Sequence, residues 1–420
     1  MNASLFRFLV LGILLWCSCG TLRFSSYSTL DHMMQQDTLV QLVRDSFSKY
    51  ESQIIYTQIN RDKNNTPHFK SFTWDDKPTY YFYPASMVKM PAALIAAEKI
   101  NQLRKSYPQL NLFSPVRYEA GHTPQTALSY DSLSTNHQAS LAQFIKRIFI
   151  VSDNDAFNRT YEFIGQAELN QQLKSHGYHH THIIHRLDAP DFNYETNKYT
   201  NPLAFAEEDR MIYTRKEQYN PDDIRVTGLQ SLKKGLGYMA NDKQVNEPFD
   251  FSFKNYFALQ DMSDMIQSIL FPGSIPRIRP FDLSPDQLEY IRTCMSKLPR
   301  ESKQPVYDST HYDGYCKFFM FGDKKSRMPD HIRIFNKVGW AYGYLTDAAY
   351  IVDFKNKVEF ILAATINTNT DGIFNDGNYE YETIGLPYLS RLGRIIYEHE
   401  LHRKRAFTPE LKEFQLNYKE

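Results

Sequence analysis
Glycine and proline are scarce in this chain, 17 and 20 among 420 residues, which excludes a fibrous or low-complexity protein. Charge of one sign is lacking too. Lys and Arg number 48, as do Asp and Glu, so a general polyanion binder is excluded and only a local basic cleft stays open. No run approaches the roughly 20 apolar residues of a membrane-crossing helix, which excludes a polytopic protein built of such helices. Cysteine is limited to four residues. Against these shortages stand 29 Tyr, 29 Phe and a hydrophobic fraction of 42%, ample apolar surface for a large core. A length of 420 residues allows two or three domains, or one large domain with insertions.

Residues 1–18 read as a signal peptide. Phe8–Trp16 is an apolar run of nine residues, too short to cross a bilayer and suited to a signal core. It ends in Trp16-Cys17-Ser18-Cys19. A small residue before a cysteine, after a short apolar core, resembles a bacterial lipoprotein signal with Cys19 as the lipidated residue. Trp16 departs from the leucine usual there, and a plain cleaved signal is the alternative. Either way the chain is expected to be exported to the cell envelope or periplasm, with a lipid anchor to a membrane under the first reading. Residues 19–36 are polar and serine-rich and read as a tether. Cys294 and Cys316 remain, as one disulfide or two buried thiols. Two cysteines are too few for a structural zinc site without histidines.

The main domain is expected over residues 37–405. Asp37 is a possible cap for a helix reaching Tyr50. Gln53–Asn60 and His68–Trp74 read as strands around a turn. Helices follow from Ser86 to about Leu103, over Ser140–Phe149 and Asn158–Ile164, over Lys254–Leu270 and over Pro285–Leu298. Arg333–Trp340, Asp347–Asp353 and Val358–Ile366 read as three antiparallel strands, and Glu382–Leu401 as a last helix. Strands at both ends around a helical block imply an α+β fold: a five-stranded antiparallel sheet covered by helices, with a largely helical subdomain. Residues 213–253 read as a polar insertion, and residues 406–420 as a charged tail.

Three motifs carry chemistry. Ser86-Met87-Val88-Lys89 places a hydroxyl and an amine three residues apart at a helix start, nearly one turn, so both face one way. A serine needs a neighbour to take its proton, and a lysine with a lowered pKa can do so. Pro91, five residues after Ser86, implies that the first turns are held by tertiary structure. Ser152-Asp153-Asn154 ends an amphipathic helix and alone reads as a polar turn. Lys337-Val338-Gly339 lies on a predicted strand, where a glycine often marks close approach of a ligand backbone.

In this order the three motifs are the signature of class A β-lactamases and penicillin-binding proteins. The chain resembles that superfamily through YPASMVKMP around Ser86, VSDNDAFNR around Ser152 and NKVGWAYGYLTDAAYIVD around Lys337, over about Ser48 to His402. The resemblance implies a β-lactamase/transpeptidase-like fold and a serine hydrolase with an acyl-enzyme at Ser86. It assigns Lys89 as the base or a proton shuttle, Ser152 as proton relay to the leaving nitrogen and Asn154 as partner of Lys89 or of a substrate amide. Lys337 would lower the Lys89 pKa and attract an acidic substrate group. The backbone N–H groups of Ser86 and Trp340 would form the oxyanion hole, and Gly339 would let substrate lie against the strand. The implied substrate is a small β-lactam or a peptidoglycan-type peptide; neither a metal nor an organic cofactor is implied, and nucleic acid is not an expected partner.

Two departures bear on turnover. Val338 stands where the family carries a substrate-binding hydroxyl. Arg186-Leu187-Asp188-Ala189-Pro190-Asp191-Phe192-Asn193 resembles the family's deacylation loop, yet no glutamate stands in the matching place. Asp191 is a candidate substitute, with Glu195 as an outside candidate. Both departures suit a rival reading, a covalent penicillin-binding sensor with very slow turnover. Two weaker constellations, His179, His180, His182 and His185, and a calcium-loop-like start at Asn367, Asn369 and Asp371, read as a polar loop and a turn.

Overall fold
The computed structural model describes residues 26–207, 210–224 and 228–419; the signal segment and Cys19 lie outside them. In chain order the main elements are α1 (Ser26–Met34), α2 (Thr38–Asp45), β1 (Gln53–Arg61), β2 (Pro67–Trp74), α3 (Lys89–Arg104), α4 (Leu141–Ile150), α5 (Asn154–Ile164), α6 (Gln166–His176), α7 (Leu259–Leu270), α8 (Pro285–Ser296), β3 (Ile332–Ala341), β4 (Tyr344–Asp353), β5 (Val358–Asn367) and α9 (Leu386–His402). The strands form one five-stranded antiparallel sheet in the order β3-β4-β5-β1-β2, so β3 is an edge.

Helices cover both faces, and every residue of β4 and β5 is buried. Side chains of β4 alternate between two cores. Tyr344, Ala348, Tyr350 and Val352 join the core shared with α3–α8, while Leu345, Ala349 and Ile351 join the core under α1, α2 and α9. α3 is buried from Lys89 to Ile100, on all sides of its axis, which makes it the central helix of the helical block. Asp37 caps α2 by accepting from the Leu39 and Val40 N–H groups, and Ser140 caps α4 at Gln143.

Three stretches differ from their sequence reading. Part of the expected tether is α1, whose Leu30, Met33 and Met34 are buried in the second core. Their spacing of three and four residues is that of one helix face. The expected charged tail carries buried Leu411 and Phe414; the Phe414 ring packs against Phe271, Phe335 and Tyr350. The insertion is a set of short strands, tied to the body through buried Phe251 and through Phe249, which meet Tyr342 and Phe374. Cys294 and Cys316 are both buried and are not joined in a disulfide.

Candidate active site
Ser86 sits in a single 3-10 turn, Ala85–Val88, and the α-helix proper begins at Lys89. Residues three apart eclipse in a 3-10 turn, which aligns Ser86 with Lys89. This start also gives Pro91 a local reason. It falls in the first turn of α3, where the missing N–H would have no helical partner anyway. Ala85, just before the serine, has φ of 46°, a left-handed conformation that strains a residue with a Cβ.

Ser152 lies between α4 and α5, also left-handed at φ 59°. Asp153 caps α5 by accepting from the Ala156 N–H at 2.8 Å, which fixes Asn154 at the helix start. The Lys89 Nζ donates to the Ser152 carbonyl oxygen at 2.5 Å, to Asn154 Oδ1 at 2.6 Å and to Ser152 Oγ at 3.3 Å. From the opposite side the Lys337 Nζ donates to Ser152 Oγ at 2.8 Å and to the Val338 carbonyl oxygen at 2.8 Å. One serine hydroxyl is thus held between two lysines.

Both lysines are inside the protein, at 0% and 1% exposure, so their charged forms are penalised. Burial first, and the Lys337 charge second, hold the Lys89 amine well below the ordinary lysine range. Burial lowers Lys337 to about 8, against the opposing pull of Cys316 and Asp347. Asp347 is itself buried, accepting from Asn336 Nδ2 and from the backbone of Phe318 and Phe319. Lys89 is therefore the amine better placed to be neutral, and Lys337 the better placed to stay charged.

A cavity of about 820 Å³ opens over this cluster, with Ser86, Ser152, Asn154, Val338, Gly339 and Trp340 in its wall. The Val338 carbonyl meets the Lys337 Nζ away from β4, so by strand alternation the Trp340 N–H also faces the open edge, beside the Ser86 turn. Trp340 is 42% exposed and stacks on Phe318. Val338 is buried in the second core. Gly339 has a further reason besides the one expected. A Cβ there would run into the Pro84 carbonyl and come within 3.1 Å of the Met87 nitrogen. The glycine lets the edge strand press against the turn that carries Ser86, besides lining the cavity.

Arg186 to Asn193 forms another wall. The Arg186 Nε donates to Glu162 Oε1 at 2.9 Å, and Asn158 exchanges two hydrogen bonds with the Leu187 backbone, which pins the loop to α5. Asp191 is exposed and outside the cavity wall, and Glu195 points to Lys198 instead. The loop acid on the wall is Asp188, whose Oδ2 accepts from Asn154 Nδ2 at 3.4 Å. Its position two residues after Arg186 was visible in the sequence, but nothing there showed that Asn154 would reach it. Tyr83, His185, Lys254, Tyr342 and Tyr381 line the cavity as well and carry no sequence motif. The four neighbouring histidines do not converge: His180 and Thr181 meet Asp261 and only His185 faces the cavity. Among the described residues no group of three or more His, Cys, Asp or Glu side chains could hold a metal ion.

No curated protein matches this chain. Among solved structures, "Structure of PBP-A" aligns over 87% of this chain and 95% of its own, at 15% identity and a TM-score of 0.46. A β-lactamase from Burkholderia phymatum aligns over 89% and 97%, at 10% identity and a TM-score of 0.46. A class A β-lactamase from Clostridium kluyveri aligns over 85% and 97%, at 14% identity and a TM-score of 0.45. The family described as "Beta-lactamase enzyme family" matches residues 40–269, which hold Ser86, Lys89, Ser152, Asn154 and the Arg186–Asn193 loop. With more than half of its length matched and its motif residues gathered at one cavity, the chain belongs to the β-lactamase enzyme family.

Proposed function
We propose that the protein is an exported, lipid-anchored serine hydrolase that works through an acyl-enzyme on Ser86, on a β-lactam amide or a related D,D-peptide or ester. The observation that carries this reading is the Ser152 hydroxyl held between Lys337 and Lys89, with Lys89 one turn after Ser86. Neutral Lys89 takes the Ser86 proton as Oγ attacks the substrate carbonyl. The Ser86 and Trp340 N–H groups stabilise the oxyanion. As the C–N bond breaks, Ser152 gives its proton to the leaving nitrogen and is reprotonated from the lysine side. The lipid is assigned to Cys19, after the apolar core Phe8–Trp16.

A second reading, a covalent binder with slow turnover, is favoured by the loop. Asp191 lies off the cavity, and Asp188 is the loop acid left to activate a deacylating water. Intact-mass spectra after a penicillin, followed in time, test both. Ser86→Ala should abolish the adduct while the protein stays folded, and undiminished labelling of that variant refutes the assignment. A stable adduct after a burst of about one product per chain favours the binder, and rapid loss of the adduct favours the hydrolase.

A further inference from the structure
Among the described residues, the cavity wall holds two cations outside the acylation chemistry, Arg186 and Lys254, and Lys254 is the one without a carboxylate partner. Lys254, half-buried in the wall, has no carboxylate partner among the described residues. Its Nζ instead lies over the rings of Tyr342 at 5.5 Å and Phe249 at 5.9 Å. The other charges on the wall are engaged: Arg186 with Glu162, and Asp188 with Asn154.

Lys254 is also held in place. The next residue, Asn255, is fully buried, and its Oδ1 accepts from the backbone N–H groups of Ile184 and His185 at 2.7 and 3.1 Å. Its Nδ2 donates back to the His185 carbonyl at 3.2 Å, and its own carbonyl accepts from Tyr81. This clamp sets Lys254 and His185 beside each other. The His185 Nδ1 faces the Arg186 carbonyl, which can only accept, so the proton sits on Nδ1 and Nε2 is an acceptor. That Nε2 is buried and has no hydrogen-bond partner among the described residues. Burial and the Lys254 charge push His185 down to about 3, so the ring stays neutral. His185 stacks on Tyr83, and Tyr83 meets Tyr342 edge-on at 4.9 Å, closing a continuous wall.

We infer that Lys254 and His185 form a subsite for a carboxylate on the acyl side of the substrate, the carboxylate on Lys254 and an adjacent N–H on His185 Nε2. The direction follows from β3. Lys337 and Tyr342 lie on opposite sides of the Trp340 N–H, so a substrate acylating Ser86 with one end at Lys337 extends its acyl group toward Tyr342 and Lys254. One uncompensated cation suits a monoanion. The acceptor nitrogen beside it disfavours a phosphate, whose extra lone pairs would face it. This subsite rests on the acyl-enzyme reading above for its orientation.

Penicillin G and its α-carboxy analogue carbenicillin differ by this one carboxylate, and both keep the ring carboxylate. Acylation rate constants from intact mass should favour carbenicillin by about tenfold in the wild type, the scale of one charge-assisted hydrogen bond. Lys254→Met should collapse that ratio toward one. The same preference should appear in equilibrium binding to Ser86→Ala, read by ligand-detected NMR, and vanish in Ser86→Ala/Lys254→Met. Equal binding of the two penicillins to Ser86→Ala, or an equal fall for both in Lys254→Met, overturns the subsite. A binding preference without any acylation of the wild type would overturn the acyl-enzyme reading and leave the subsite standing.

Discussion

Replacing Lys337 by methionine keeps an unbranched side chain, one heavy atom shorter, and removes its charge. The Lys89 and Lys337 nitrogens lie 3.3 and 2.8 Å from the same Ser152 oxygen, so they are at most about 6.1 Å apart. Two unit charges at that distance repel by about 2.7 kcal/mol at an effective dielectric of about 20. At about 1.36 kcal/mol per pKa unit, that is about two units on Lys89. The Lys337 charge lowers the Lys89 pKa, so Lys337→Met should raise it. Acylation requires neutral Lys89, which is lost as pH falls through its pKa. The rising limb of the acylation rate against pH should therefore move up by about one to two units. A neutral fluorophosphonate is the right probe, because it has no carboxylate for Lys337 to attract. The second-order labelling rate, measured from about pH 5 to about pH 10, reads the shift directly. An anionic penicillin should in addition lose rate above about pH 8 in the wild type, where Lys337 sheds its proton, and the variant should lack that fall. A rising limb that stays in place, or moves down, would refute the proposal that Lys337 tunes Lys89 as the base.

Asp188→Asn should slow loss of the penicillin adduct by about two to four orders of magnitude if Asp188 activates the water, whereas Asp191→Asn should change it little; the reverse pattern in time-resolved mass spectra would return the role to Asp191. Phe414→Ala should destabilise the fold by about 3–5 kcal/mol in urea unfolding, as expected for a fully buried ring, and a change near zero would mean that residues 406–420 are not docked. Cys19→Ala should move the protein from the membrane fraction to the soluble fraction, and a wild type that is already soluble would exclude the anchor.

The parts of the site legible in the sequence are those whose geometry is local. Ser86 and Lys89 share one turn, and Asp153 caps the helix that begins at Asn154. The strands β3 to β5 were legible for the same reason, as segments rich in β-branched and aromatic residues split by short turns. Lys254 and His185 were not. Their adjacency depends on Asn255 bonding to the backbone 70 and 71 residues away, and no periodic pattern encodes such a clamp. Asp188 and Asp191 show the same limit. Both are acids in one short loop, and only the three-dimensional path, left-handed at Asp188, decides which reaches the cavity. The α1 helix was a different kind of miss. Leu30, Met33 and Met34 had helical spacing, but a serine-rich composition outweighed three apolar residues.

Several uncomfortable features meet at the site. Ala85 and Ser152 are both left-handed, and two lysines are buried with no carboxylate among the described residues hydrogen-bonded to either. Each feature destabilises the folded chain, yet each also has a geometric consequence. The bend at Ala85 leads directly into the Ser86 turn, and the one at Ser152 leaves both its carbonyl and its hydroxyl facing Lys89. The surroundings that hold these strained residues are stiff: α3 is buried on all sides, and β3 is pressed against the Ser86 turn through Gly339. A bulkier residue at 339 would push β3 away from Pro84 and Met87, separating the Trp340 N–H from Ser86. The closeness of an edge strand to a helix start, more than any single side chain, is what allows a lysine from each to share one serine hydroxyl.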